Sequence, residues 1–169
     1  MSADPQSYRY RRLDSPLGPL ILIAQGAFLR AVLWPTQAAA LPLSASEAIY
    51  GDTLLNVAAD ELTTYFQGAS ITFSTPLAPR GTTFQQAVWQ QLQRIPYGET
   101  RSYKDIAQAV GRPSAIRAVG TAIGKNPISI VIPCHRVIAS NGQLAGFAGG
   151  LAAKKALLKT EGSWLRIKH

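Results

Sequence analysis

Residues 128–137, ISIVIPCHRV, constrain the fold of this chain more than any other stretch. Four aliphatic residues and a serine run into Pro133 and are followed at once by Cys134, His135 and Arg136. An apolar, β-favouring run that stops at a proline predicts a buried strand that delivers the next residues to a fixed point at the edge of the core. That point carries a thiol, and Cys134 is the chain's only cysteine. His135 and Arg136 beside it favour a thiolate, because a neighbouring imidazole or cation lowers a free thiol's pKa from about 8.5. Two readings of Cys134 stand at this point: a nucleophile held on a rigid ledge, and a small apolar residue of the core.

The chain's 169 residues leave room for one full core or two small lobes, since domains usually run to roughly 100 to 150 residues. No window approaches the roughly 18 uninterrupted apolar residues of a membrane span. The N-terminal MSADPQSYRYRR also lacks the apolar core of a signal peptide. A soluble intracellular protein without a membrane partner is therefore expected. A lone cysteine excludes an intramolecular disulfide framework and fits a reducing compartment. One cysteine and two histidines make a clustered zinc site unfavourable, so no metal is expected.

Charge divides the chain sharply. Residues 1–80 hold five Lys or Arg against six Asp or Glu, which is −1, and residues 81–169 hold twelve against three, which is +9. A basic half beside a near-neutral one is the electrostatic footprint expected for a polyanion, because phosphate contacts dominate nucleic-acid affinity.

Residues 8–13, 20–24 and 29–33 are short β-favouring runs separated by Ser15-Pro16-Leu17-Gly18 and by Gln25-Gly26, and they predict an antiparallel meander. The Ala- and Pro-rich residues 35–46 predict an irregular connection. Residues 54–66 predict a helix, with Leu55, Ala58, Leu62 and Phe66 near helical spacing. Pro76 and Pro79 mark residues 71–81 as a linker, which divides the chain into a structural lobe over 1–80 and a second domain over 82–169.

In the second half Thr83 opens a helix bearing Phe84, Val88 and Leu92, and Ile95-Pro96-Tyr97-Gly98 ends it. Ser102 caps a short helix with Tyr103, Ile106, Ala107 and Val110 on one face. After Gly111-Arg112-Pro113 a second helix starts at Ser114, with Ile116, Val119, Gly120 and Ile123 inward and Ser114, Arg117, Ala118, Thr121 and Lys125 outward. Two short helices across a Gly-containing turn fit a helix-turn-helix, and an αα-hairpin buried in a core fits the same pattern. The small residues Ala115, Ala118, Gly120, Ala122 and Gly124 let the second helix bring its backbone close to a groove, with Arg117 as the one long outward arm. Residues 120–126, GTAIGKN, fall one residue short of a phosphate-binding loop and end in Asn126 in place of Ser or Thr, which excludes a nucleoside triphosphate site.

Residues 146–150, GFAGG, predict a loop so depleted of side chains that a flat ligand can approach its N–H groups and stack on Phe147. The last predicted helix, residues 151–160, sets Ala153, Leu157 and Glu161 at four-residue spacing, so Glu161 continues an inward stripe. An inward carboxylate needs a partner. Cys134, His135 and Glu161 then form a candidate relay in which Glu161 orients His135, and His135 takes the thiol proton directly or through water. Adjacent side chains of a strand point opposite ways, which favours the bridging water.

Asn126-Pro127, the IPCHRV run of residues 132–137, residues 147–150 and Glu161 together resemble the O6-alkylguanine-DNA alkyltransferases, the methylated-DNA–protein-cysteine methyltransferases. The resemblance is close over residues 81–162 and extends to the first lobe in outline. It implies an α+β fold: a small N-terminal antiparallel sheet with a helix, ribonuclease H-like, and a mostly helical, winged-helix-like C-terminal domain carrying the helix-turn-helix and the site. It also implies a single-use, cofactor-free DNA repair reaction in which an alkyl group passes irreversibly from guanine O6, and potentially thymine O4, to cysteine. Cys134 resembles the acceptor, His135 the base acting through water, Glu161 the group polarising it, and Asn126 the brace of the adjoining turn. Tyr103 resembles the residue that crowds the target's phosphate and protonates the departing oxygen. Arg117 resembles the arginine that replaces the flipped nucleotide in the base stack.

The remaining implied DNA contacts are Ser114, Ala118, Thr121, Lys125 and Arg136, and the implied substrate pocket comprises Ile123, Val137, Phe147, Ala148 and Gly149. The implied partner is double-stranded DNA containing O6-alkylguanine, met by a cytoplasmic monomer that is nucleoid-associated if bacterial. Phe147 and Ala148 stand where the family often has Tyr then Ser, which removes two hydroxyls and keeps the aromatic wall. With one cysteine, the chain lacks the ligands for the metal-binding acceptor domain of some relatives. A non-catalytic damage sensor of the same fold would replace the cysteine, and a cysteine hydrolase would need an oxyanion hole that nothing in the sequence demands.

Overall fold

The computed structural model describes residues 6–48 and 51–167, which fall into two compact units, one ending at Arg80 and one beginning at Gly81. In the first, strands β1 (Tyr8–Leu13), β2 (Leu20–Gln25), β3 (Phe28–Leu33) and β4 (Ser46–Glu47) form a sheet in the order β3-β2-β1-β4. β2, LILIAQ, is buried along its whole length, as a continuous apolar run in a central strand should be. It pairs antiparallel with β1 and β3, the expected meander, and the two-residue β4, at the end of the segment expected to be irregular, adds to β1 in parallel. Helix α1 (Thr53–Phe66) is capped by Asp52, whose side chain accepts from the Leu55 N–H at 3.1 Å and also pairs with Arg9. Its buried stripe runs through Leu55, Ala58, Ala59, Leu62 and Tyr65, with Tyr65 in the place expected for Phe66.

The segment expected to be a linker is fixed to this unit. Both Glu61 carboxylate oxygens accept from Ser74 and Thr75, and Leu29 exchanges backbone bonds with Pro76 (2.8 Å) and Ala78 (3.0 Å). The prolines break regular structure there without freeing the chain, because backbone groups between them still find partners.

The second unit begins with helix α2 (Thr83–Gln93), capped by Thr82 rather than Thr83, with Gln85 completing a capping box. A short strand β5 (Arg101–Ser102) leads into α3 (Tyr103–Ala109), where Ser102 and Asp105 form a second capping box. Helix α4 (Ile116–Gly124) follows, and the Trp89 indole N–H donates to the Ala122 carbonyl at 2.9 Å, tying α2 to it. Ser114 lies in the preceding turn, because Ala115, with no side-chain cap, is the N-cap. Ile116 is 42% exposed, although its spacing placed it inward, since the buried stripe starts only at Val119. The chain then passes Cys134 to strand β6 (Val137–Ile138), which pairs in parallel with β5, and continues through α5 (Leu151–Thr160) to a one-turn 3-10 helix, Trp164–Arg166.

Candidate active site

Residues 128–132 are buried as expected but form a tight loop, not a strand. The Ile132 N–H returns to the Ile128 carbonyl at 2.9 Å, the Val131 N–H to Ser129 at 2.9 Å, and the Cys134 N–H to Ile132 at 2.8 Å. Pro127 and Pro133 bracket the run without N–H donors, so a sheet ladder would be interrupted at both ends. Asn126 offers the backbone an alternative: its buried amide Nδ2–H donates to the Ile132 carbonyl at 2.9 Å and its Oδ1 accepts from the Ile128 N–H at 3.0 Å. Ile130 sits at φ +73°, a conformation costly for a β-branched residue and tolerated only where the surroundings fix it.

This loop sets Cys134 at the start of a one-turn 3-10 helix, Cys134–Arg136. Successive side chains there do not alternate as on a strand, so Cys134 and His135 leave the backbone in directions set by the turn. Burial pushes the Cys134 thiol above its ordinary pKa, against which the Asn126 amide, the Lys154 ammonium and the N–H groups of Cys134 and His135 favour the thiolate. The side chains of its sequence neighbours are engaged elsewhere. His135 Nε2 is bonded to Glu161 Oε2, and Arg136 Nε donates to Glu161 Oε1 at 2.5 Å while its Nη1 donates to the Ile95 carbonyl at 2.6 Å. Burial holds His135 below the usual imidazole pKa, with Glu161 opposing. A neutral ring that donates from Nε2 to a carboxylate leaves Nδ1 as its acceptor nitrogen.

Above the thiol lies a narrow slot lined by Ile123, Gly124, Asn126, Ser129, Cys134, Gly146, Phe147 and Ala148. Of the expected pocket residues, Val137 is instead fully buried in β6 opposite Arg101, and Gly149 lies outside the lining. The family comparisons agree with this assembly: residues 83–163 match the 6-O-methylguanine DNA methyltransferase DNA binding domain, and residues 8–79 match the ribonuclease-like domain of the same family. The chain belongs to the 6-O-methylguanine DNA methyltransferase family.

Relatives within the family include the methylated-DNA–protein-cysteine methyltransferase of Mycobacterium tuberculosis H37Rv, 46% identical over 91% of this chain and 92% of that protein. The Methanosarcina barkeri protein of the same name is 45% identical over 93% and 99%. The crystal structure of M. tuberculosis OGT in complex with DNA superposes with a TM-score of 0.85 at 45% identity, covering 92% of this chain and 94% of that one. No described helix is long and apolar enough to cross a membrane.

Around the slot of this methyltransferase-family chain, α4 presents Arg117, Ala118, Thr121 and Lys125 on one exposed face, with Ser114 exposed just before it. Tyr103, half-buried at the start of α3, has its pKa raised by burial and by the nearby Cys134. Arg136, expected among the DNA contacts, is 9% exposed and points inward, because Glu161 and Ile95 hold its guanidinium beside the Tyr97 ring. Two site residues escaped the sequence reading. Ser129 lines the slot from the middle of the apolar run, and Lys154 is buried in α5. Lys154 carried a signal: with Leu157, Leu158 and Glu161 it stands at i, i+3, i+4 and i+7, the spacing of one helix face.

Proposed function

We propose that this protein repairs DNA by direct reversal: it flips an O6-alkylguanine, and by the same chemistry an O4-alkylthymine, out of the duplex and transfers the alkyl group irreversibly to Cys134, restoring the base. The observation that carries this reading is a lone thiol at the floor of a narrow slot, backed by a buried His135–Glu161 pair and bordered by an exposed, small-faced helix bearing Arg117.

The alkylated oxygen is inaccessible within a duplex, so the nucleotide must be extruded at a cost of roughly a few kcal/mol, which an inserted side chain and a stacking pocket offset. Arg117 fills the vacated stack, the small residues of α4 admit the minor groove, and Phe147 and Ala148 bound the base. Ser114, Ala118, Thr121 and Lys125 hold the flanking strand. Within the slot, His135 Nδ1 takes the thiol proton through a bridging water while Glu161 stabilises the imidazolium. The sulfur–carbon bond forms as the carbon–O6 bond breaks, and Tyr103 protonates the leaving base. Solvent returns the proton from His135 to Tyr103, so the sum is thiol plus alkylguanine giving thioether plus guanine. Nothing regenerates the thiol, so each molecule acts once and needs no cofactor. The protein works in the cytoplasm, at the nucleoid if bacterial, as a monomer away from DNA.

Duplex DNA carrying O6-alkylguanine labelled in the alkyl group tests this. The label is expected on protein at one per molecule, and none on the Cys134→Ala protein. Label retained on DNA, label accepted by Cys134→Ala, or release of labelled alcohol over several turnovers would each overturn it.

A further inference from the structure

Tyr97 has no part in the chemistry above, yet it stands against the groups that serve it. It lies in the turn after α2, which the Glu99 N–H closes by donating to the Pro96 carbonyl at 3.1 Å. Gly98, at the third position of that turn, has φ +82°, a conformation open to glycine at little cost. A side chain there would also meet an obstacle, since a Cβ on Gly98 would stand 3.2 Å from the Glu161 carbonyl oxygen. The turn therefore packs against the backbone of the residue whose carboxylate holds His135.

Tyr97 grips the surroundings of that carboxylate at two points. Its hydroxyl donates to the Thr160 carbonyl at 3.1 Å, among the last carbonyls of α5, which a helix end leaves without intrahelical partners. Its ring lies beneath the Arg136 guanidinium, whose Cζ is 5.8 Å from the ring centroid. The Ile95 carbonyl, two residues before Tyr97, accepts from Arg136 Nη1 at 2.6 Å, so the same turn holds the guanidinium by a backbone oxygen and by an aromatic face. Burial and then Glu161 raise the Tyr97 pKa against the opposing Arg136 charge, so the phenol stays neutral and keeps its donor.

Glu161 divides its oxygens, Oε1 to Arg136 and Oε2 to His135, and its side chain is fully buried. A planar group with two partners passes a displacement of one to the other, so moving the guanidinium turns the oxygen that orients the imidazole. We propose that Tyr97 is a positioning residue for alkyl transfer: its ring and hydroxyl hold Arg136 and the end of α5 so that Glu161 stays aimed at His135. The proposal rests on the reading of His135 and Glu161 as the relay that deprotonates Cys134. Tyr97 does not line the slot, so its effect reaches the sulfur only through Arg136, Glu161 and His135.

Tyr97→Met keeps bulk and removes both contacts, and Tyr97→Phe keeps the ring. The titration midpoint of His135 is followed by nitrogen NMR of protein labelled in histidine, and His135→Gln assigns its signal among the chain's two histidines. Arg136 opposes protonation of His135, and so does burial. A guanidinium freed from the ring carries its charge away and admits water, so the midpoint in Tyr97→Met is expected to rise by about one pH unit. Below that midpoint the single-turnover rate of label transfer should fall about tenfold, the deficit narrowing towards about pH 8.5, where the imidazole is neutral in both proteins. Tyr97→Phe should keep the parental midpoint and lose less rate than Tyr97→Met.

An unmoved His135 midpoint in a folded Tyr97→Met protein overturns the proposal, whatever the loss of stability, and leaves Tyr97 a packing role. A parental rate profile in that protein does the same. Gly98→Ala decides the matter if Tyr97→Met does not fold: its Cβ, set against the Glu161 carbonyl, shifts the turn or the end of α5 and should raise the same midpoint. An unmoved midpoint there overturns the proposal too. The midpoints are read without DNA, so a failure of label transfer by the parent protein, which would sink the relay reading itself, is seen separately.

Discussion

Replacing Asn126 with alanine removes the side chain that closes the 128–132 loop, and the structure sets the size of the effect. Asn126 Oδ1 accepts from the Ile128 N–H at 3.0 Å, and that buried donor would be stranded at a cost of about 1–3 kcal/mol. The Ile132 carbonyl loses the Nδ2–H bond at 2.9 Å but keeps the Cys134 N–H at 2.8 Å, so that loss is about 1 kcal/mol. The sum, about 2–4 kcal/mol, corresponds to a melting temperature lower by roughly 5 to 12 °C for a chain of this size. Rate should fall further than stability alone requires, because the loop holds Ile130 at φ +73° and aims the sulfur, and a misplaced reacting group costs on the order of a hundredfold. Asn126→Asp keeps the acceptor for Ile128 but sets a carboxylate oxygen against the Ile132 carbonyl and buries a negative charge beside the thiolate, so melting point and rate should both drop at least as far as in Asn126→Ala. Thermal unfolding and single-turnover label transfer at pH 7.5 measure both. If Asn126→Ala melts within about one degree of the parent and transfers label at the parental rate, Asn126 does not staple the loop.

Glu161→Gln should slow transfer by on the order of a hundredfold through loss of the group that polarises His135, and should destabilise by about 3–5 kcal/mol by leaving Arg136 buried without its carboxylate. Parental stability in urea would contradict that pairing. Arg117→Ala, on the exposed face of α4, should leave the melting point unchanged and weaken repair of duplex DNA far more than reaction with free alkylguanine; equal losses would refute insertion into the stack. His135 has a folded pKa held below its unfolded value of about 6.5. The unfolded chain therefore takes up a proton first as pH falls, and stability contributed by this group above pH 6.5 is lost between that value and the lower folded pKa. The urea midpoint should drop over this window more steeply in the parent than in His135→Gln, and parallel profiles would show that burial does not hold the ring neutral.

The elements legible in the sequence are those whose signal is local. β2 was readable because the five successive apolar residues 20–24 need no partner to be recognised, and Glu161 was readable because helical spacing projects four residues ahead. The 128–132 loop was misread because its strand-like composition is overridden by Asn126 and by two prolines that withhold donors, a contest that β propensity does not register. Arg136 was expected among the DNA contacts that the resemblance implies, and its inward turn depends on Glu161, 25 residues away. Ile116 followed the helical period of α4, yet it is the helix's first residue and is exposed, the buried stripe starting one turn later at Val119.

Proximity in sequence and electrostatic responsibility also part company at Cys134. His135 is neutral, and Glu161 and Arg136 carry opposite charges in direct contact, so the network that follows the cysteine in sequence sums to nearly zero formal charge. A group of that kind orients an imidazole and moves a proton, but it projects little field onto a sulfur. A thiol pushed up by burial therefore draws its help from outside that network: the Asn126 amide first, then the Lys154 ammonium and the N–H groups of Cys134 and His135, favour the thiolate. The division assigns proton transfer to one set of residues and charge stabilisation to another. Glu161→Gln should accordingly fail in rate with the thiolate midpoint little changed, and a midpoint displaced upwards by that substitution would show that the network does charge the sulfur.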